Sequence, residues 1–218
     1  MNNILLAIHA DEILAADAMQ SVDWSIMLKA KAGTVLYFEK PTFLRNTSNV
    51  IRYAGGGWPL GYIDDGAPHT PTQIHSTRIP IPEHAERIHL SEIKFLHYAL
   101  VRLKAQASKE RMYSMLENIK GTKTLRLRLW YYNSKNDFSN EGDIHENSAP
   151  AWFTNWEAIG INMHTISHSN YYWYDYEALK LFNKYGINRF VFDDIWNFDW
   201  ESYRLCALDN QYNFIPTF

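Results

Sequence analysis

Near the start of the chain, His9, Asp11 and Glu12 place one imidazole and two carboxylates almost side by side. If this stretch is extended, His9 and Asp11 share one face while Ala10 and Glu12 point the other way. Two groups able to ligate a metal then project together, and Glu12 reads as a structural carboxylate, paired or capping. A hard divalent cation such as Mg²⁺ or Mn²⁺ prefers oxygen ligands and bridges the oxygens of a diphosphate. Imidazole also ligates Mn²⁺, but in place of a carboxylate it removes a negative charge from the site. Further along, His75 and Arg78 lie in a Pro-rich stretch, and a guanidinium there is suited to bidentate phosphate contacts. Asp64 and Asp65 precede Gly66, so they offer either carboxylates or a turn. His164 and His168 have the i, i+4 spacing of some zinc sites, but without the Glu of His-Glu-x-x-His the signal is weak.

These groups need elements to hold them. The apolar run Ile4 to Ile8 leads straight into His9 with no Gly or Pro between, which predicts an inner strand of a sheet with Asp11 at its exposed end. Asp17 is expected to cap a helix through Trp24, Met27 and Leu28, closed by Lys29, Lys31 and Gly33. Thr34 to Phe38 and Arg45 to Tyr53 read as strands, the second with a turn at Asn46 to Asn49. From Gly55 to Pro82 the chain is rich in Gly and Pro, a long loop where substrate contacts are expected. A helix is predicted from Ser91 through Ile93, Leu96, Leu100, Leu103, Met112, Leu116 and Ile119, ending at Gly121. That puts His97 on one face with Ile93 and Leu100, either as a ligand or as a core histidine. Leu125 to Tyr132 alternates like a half-buried strand, and 133–150 reads as a surface loop. The segment from Trp152 to Trp200 is dense in aromatics, with a helix near Tyr174 to Tyr185 stopped by Gly186 and a strand at Arg189 to Phe192.

With 8 Trp, 14 Tyr and 11 Phe, the chain has rings enough for a stacking surface or, more simply, for a core of large side chains. A net charge of −3 gives no electrostatic footprint for a polyanion, so no nucleic-acid partner is expected. The single cysteine, Cys206, excludes an internal disulfide and a thiolate metal cage and fits a reducing, cytoplasmic location. No apolar stretch is long enough to span a bilayer, and the N-terminal run, lacking a basic flank and broken by His9, does not read as a signal peptide.

The apolar strand into His9-Ala10-Asp11-Glu12, the loop carrying Trp58, Pro59 and His75-Ser76-Thr77-Arg78-Ile79-Pro80, the His97-Tyr98 pair and Lys109-Glu110-Arg111-Met112-Tyr113 together resemble the family 2 glycosyltransferases with an Asp-Ala-Asp-Glu form of the metal-binding DxD motif. The likeness covers Ile4 to Glu117 well and the remainder loosely. The first motif Asp is His9 here, and the nucleotide-binding half that precedes the motif in that family is absent. What the resemblance implies is an α/β chain, with a partial GT-A-like mixed sheet, flanking helices and an aromatic-rich C-terminal α+β extension. The expected division is residues 1–120 and 121–218. It further implies Asp11, His97 and His9 around Mn²⁺ or Mg²⁺, Arg78 and His75 on the donor phosphates, and Asp65 or Asp64 as the base that deprotonates the acceptor. The expected partners are a nucleotide-sugar donor and a glycan or other hydroxyl acceptor. Lacking the preceding half, the chain alone would bind Mn²⁺ weakly and transfer little sugar. A zinc-dependent N-acetylglucosaminyl deacetylase, whose family opens on His-Pro-Asp-Asp-Glu, is the competing enzyme. His-Ala-Asp-Glu is one residue short of that motif, and the later His-x-x-His is missing. A third reading is a non-catalytic remnant that keeps the acceptor-side half as a binding module.

Overall fold

The structure, a computed structural model, describes residues 3–53, 55, 57–72, 75–121, 123–133, 144–169 and 172–209. The first six elements are strands β1 (Ile4–Leu6) and β2 (Glu12–Leu14), helix α1 (Val22–Lys29), and strands β3 (Val35–Glu39), β4 (Thr42–Leu44) and β5 (Asn49–Arg52). Strands β6 (Trp58–Ile63) and β7 (Arg87–Leu100) follow, then helices α2 (Leu103–Lys120) and α3 (Leu125–Asn133). Strand β8 (Ile144–Asn147) and helices α4 (Thr154–Ala158), α5 (Trp173–Tyr185) and α6 (Trp200–Asp209) complete the described elements. The protein is α/β, with a mixed sheet of eight strands. It divides into two compact units, Met1–Arg102 with Glu141–Ile166, and Leu103–Asn140 with Ser167–Phe218. A cut at residue 120 would separate α2 from α5, against which it packs.

In the first unit the strand order is β1-β6-β3-β7-β4-β5-β8, with β2 paired to β7. Strand β3 is apolar from Val35 to Phe38 because it is buried on both sides: Leu36 and Phe38 join a core with Met27, Leu60 and Ile93, while Val35 packs with Tyr62 and Ile79. Gly61 sits where a Cβ would come within 2.9 Å of Phe38 Cε2 and 3.1 Å of Leu36 Cβ, so a side chain there has no room.

Several expectations are corrected here. The run from Ile4 is a strand, but an edge one, paired only to β6, with Leu5 43 % and Leu6 40 % exposed. Ser21, rather than Asp17, caps α1, its Oγ accepting from Trp24 N at 3.2 Å. Trp58 to Ile63, expected within a loop, is β6, a strand between β1 and β3. Its Pro59 is tolerated because the β3 pairing slips there, between Leu36 and Tyr37.

The largest correction is the predicted helix from Ser91, whose first part is the long strand β7. Alternation runs through Ile88 and Leu90, then changes phase to Ile93 and Phe95, at the irregularity where the β3 pairing jumps from Leu90 to Lys94. A phase slip in a two-sided strand leaves apolar residues three and four apart, which imitates a helix. The helical part begins only at Leu103 and ends, as expected, at Gly121, whose φ of 68° suits glycine.

The second unit is helical among its described residues. Leu179, Phe182, Phe190, Ile195, Trp200 and Tyr203 form its core with Met115. Helix α5 stops at Gly186, φ 78°, as its sequence predicts. Leu125 to Tyr132 is helical rather than a strand: Leu125 and Leu127 face solvent, while Arg128 is buried and paired with Asp193 at 3.0 Å. Arg189 to Phe192 is not a strand either. A 3-10 turn covers Ile187–Phe190, and the Phe190 carbonyl is taken locally by Asp193 N and by Trp196 Nε1. No helix among the described residues is long and apolar enough to cross a membrane.

Candidate metal centre

Strand register assembles this site. Glu12 on β2 is opposite His97 on β7, and His97 is opposite Thr42 on β4, so three strands carry these side chains abreast on one face. Backbone bonds fix the flanks: Tyr98 N donates to Asp11 O at 2.8 Å, and His97 N to Pro41 O at 2.9 Å. His97 Nε2 lies 3.7 Å from Asp11 Oδ2, while its Nδ1 is 3.1 Å from Thr42 Oγ1. The side chains of His97 and Asp11 are 14 % and 22 % exposed, open enough for a cation to reach.

Glu12 is wholly buried and fully engaged. Arg78 clamps it with two guanidinium nitrogens, at 2.5 and 2.9 Å. Lys40 Nζ lies 3.3 Å from Oε1, and His9 N donates to Oε2 at 2.9 Å. Burial alone pushes the Glu12 carboxyl up, but the Arg78 hydrogen bond, the His9 N–H and the two cationic charges outweigh it and bring it down to about 2. Burial lowers Lys40, with Glu12 opposing and Arg78 assisting. The ammonium also sits over the Trp58 ring at 4.0 Å. His97 is lowered by burial, against the raising effect of Asp11.

Ligand atoms of His9, Asp11 and Glu12 all lie within 4.8 Å of one another, so by spacing these three could surround an ion. Their engagements differ. Glu12 is neutralised by Arg78 and Lys40, whereas Asp11 faces an imidazole. Asp11 Oδ2 and His97 Nε2, 3.7 Å apart, are a second pair of groups with the spacing of ligands to one ion, the other ring nitrogen of His97 being engaged by Thr42. Two ligands at about 2 Å from one ion can stand as far apart as this pair without rearrangement.

The structure thus brings His9, Asp11, His97 and Arg78 together, on different terms from those expected of them. His97 arrives on a strand rather than on a helix. Arg78 holds its fork on Glu12 rather than presenting it to a phosphate. His75 is exposed, with a φ of 56°. Asp64 and Asp65 act as turn residues: Asp64 Oδ1 accepts from Gly66 N at 3.0 Å, and Asp65 Oδ1 accepts from Tyr62 Oη at 2.7 Å and from Ala67 N at 2.9 Å. The Tyr62 bond lowers the Asp65 carboxyl, which makes it a weaker base. His164 lies outside any helix, bonded to Thr47 Oγ1 at 2.6 Å and paired with Glu157 at 3.1 Å. His168 is also outside a helix.

Lys40 and Thr42 went unnoticed in the sequence. The one available signal was Lys40, set with Glu39 and Thr42 in a run, Val35 to Phe43, whose other residues are apolar, aromatic or Pro. Compared with known proteins, the chain matches no family model, no curated protein and no solved structure.

Proposed function

We propose that this chain serves metal-assisted glycosyl transfer from a nucleotide-sugar donor to a hydroxyl acceptor, in a GT-A-like sheet, with Asp11 and His97 as the protein ligands of Mn²⁺ or Mg²⁺. The observation that carries the reading is the 3.7 Å approach of Asp11 Oδ2 and His97 Nε2, with Thr42 on the far ring nitrogen. A cation held there would offset the charge that develops on a departing diphosphate. The chain's own residues position it: the β2–β7 register sets the two ligands, and the Glu12–Arg78–Lys40 cluster pins the turn that bears Asp11 and His9. The local charge also fits. Glu12 is balanced by Arg78 and Lys40, so a divalent ion beside Asp11 leaves the site positive and receptive to an anionic co-ligand.

Calorimetric titration of Mn²⁺, and then of a nucleotide diphosphate sugar, tests this. Asp11→Ala and His97→Ala are each expected to lower Mn²⁺ affinity by roughly tenfold or more, with circular dichroism unchanged. Full Mn²⁺ affinity in both variants would remove the metal from the reading, and with it the transfer.

A further inference from the structure

A cleft of about 390 Å³ opens near the β8 edge of the sheet in the first unit, a volume within the range of pockets that take small molecules. Leu44 and Val50 give it an apolar lining, and Arg45, Asn49, His145 and Asn147 bring polar groups to it. Strand register sets these in place. Asn49 is opposite Asn147 and Ile51 is opposite His145 across β5 and β8, and Ile51 is opposite Thr42 across β5 and β4. Residues paired in this way share a face of the sheet, so the cleft is on the face that carries Thr42 and His97. Ile51 is fully buried and Thr42 is 1 % exposed, so a covered stretch of that face separates the cleft from the candidate metal centre.

The charges in this lining are not balanced. Glu146, the carboxylate beside the cleft, is met by Arg52, whose Nε is 2.7 Å from Oε1 and whose Nη2 donates to Oε2 at 2.8 Å. Arg45 is exposed, and among the described residues no hydrogen bond or ion pair engages its guanidinium, nor the side chains of Asn49, His145 and Asn147. The backbone gives a second, separate sign. Arg45 has a φ of 65°, the left-handed region in which Gly or Asn is ordinary and a long side chain is not. A residue kept in that conformation against local preference points to a use for its side chain. We infer that this cleft is a binding site for a small organic anion. Arg45 takes the carboxylate or phosphate oxygens of that anion with its fork. The carboxamides of Asn49 and Asn147, each both donor and acceptor, take its hydroxyl or amide groups, and Leu44 and Val50 face its carbon skeleton. The class follows from the lining, since a cation with no carboxylate to meet it selects an anion and two carboxamides select one with further polar groups.

Proton NMR of the full chain tests the site, following the His145 Hε1 resonance, identified by its loss in His145→Gln. The probes are malate and inorganic phosphate, titrated without divalent ions and at constant ionic strength, so that general screening does not move the signal. At least one of them should shift the resonance saturably, and which one does so tells a carboxylate head from a phosphate one. No saturable shift with either anion, or an equal shift with uncharged glycerol, would overturn the proposal. Arg45→Gln should weaken the anion roughly tenfold or more, as expected for a lost bond between charged groups; an unchanged affinity would overturn it as well. Arg45→Gly removes the guanidinium but suits the left-handed backbone better, so it should lose the anion while the thermal midpoint holds or rises. An Arg45→Gly chain that keeps the anion would end the proposal. Asp11→Ala should bind the anion as before. Loss of the shift in that variant would move the anion to the metal centre and end the proposal for this cleft, whereas a failure of Mn²⁺ to bind Asp11 and His97 would leave the cleft's own result standing.

Discussion

Three buried carboxylates, one in the first unit and two in the second, are each held by a guanidinium, and Asp11 in the first unit faces an imidazole. In the second unit Asp175 is gripped by Arg111 through two bonds of 2.8 Å, and Asp193 by Arg128 at 3.0 Å. Glu12 in the first unit follows that pattern with Arg78. Asp11, next in sequence to Glu12, has the His97 imidazole 3.7 Å from its Oδ2. A carboxylate locked to a guanidinium serves the fold, because removing either partner strands a buried charge.

The comparison breaks first if the locked carboxylates prove dispensable. Glu12→Gln and Asp175→Asn are each expected to cost about 3 kcal/mol in urea unfolding, whereas Asp11→Asn should stay below about 1 kcal/mol while impairing Mn²⁺ binding. Similar stability losses for all three would erase the distinction. Acid should single out Glu12. Its folded-state value of about 2 lies below the usual 4.5, so its contribution is complete above pH 4.5 and is lost as pH falls from there through 2. The Glu12→Gln variant should accordingly show a flatter stability curve in that window.

A smaller effect sharpens the role of packing against that of charge. Gly61→Ala, whose new methyl meets Phe38 and Leu36, should destabilise by about 1 to 3 kcal/mol and leave the Mn²⁺ affinity of the folded fraction intact. Thr42→Val removes only the partner of His97 Nδ1. It should reduce Mn²⁺ affinity several-fold to tenfold with little change in thermal midpoint; an unchanged affinity would show that Thr42 does not orient the ring. Smallest of all is Glu201→Ala, which breaks an exposed pair with Arg204 and should leave the thermal midpoint where it was.

The sequence displayed some of this plainly. Val35 to Phe38 and the helix closed by Gly186 were legible because local preference, periodicity and terminators agree there. The pair Asp11 and His97 could be named only through the family resemblance, and the helix proposed to carry His97 does not exist. What joins them is the pairing of Glu12 with His97 across β2 and β7, a long-range register that no local pattern encodes. The helical reading of β7 failed because two-sided burial and a phase slip gave its apolar residues a helix-like spacing. The edge position of β1 was invisible for a related reason: Ile4 to Ile8 is apolar enough for an interior strand, and neighbours in a sheet are chosen by topology. Leu125 to Tyr132 misled because the residue that sinks into the core is Arg128, drawn by Asp193.

Strand β7 has one more consequence, for the order in which the first unit can be made. It pairs with β2, β3 and β4, all of which emerge earlier from the ribosome, and it contributes His97. Until Leu100 has been synthesised, β3 can pair only with β6 and β4 only with β5, so their other edges stay open, of the kind that recruit unwanted strands, and the loop-closure entropy of joining these pieces is not yet offset by the β7 ladders. The nascent chain therefore gains little by folding early. A release or cleavage before Leu100 would leave a fragment with its sheet lacking the central strand, a substrate for chaperones and proteases rather than a smaller version of the protein.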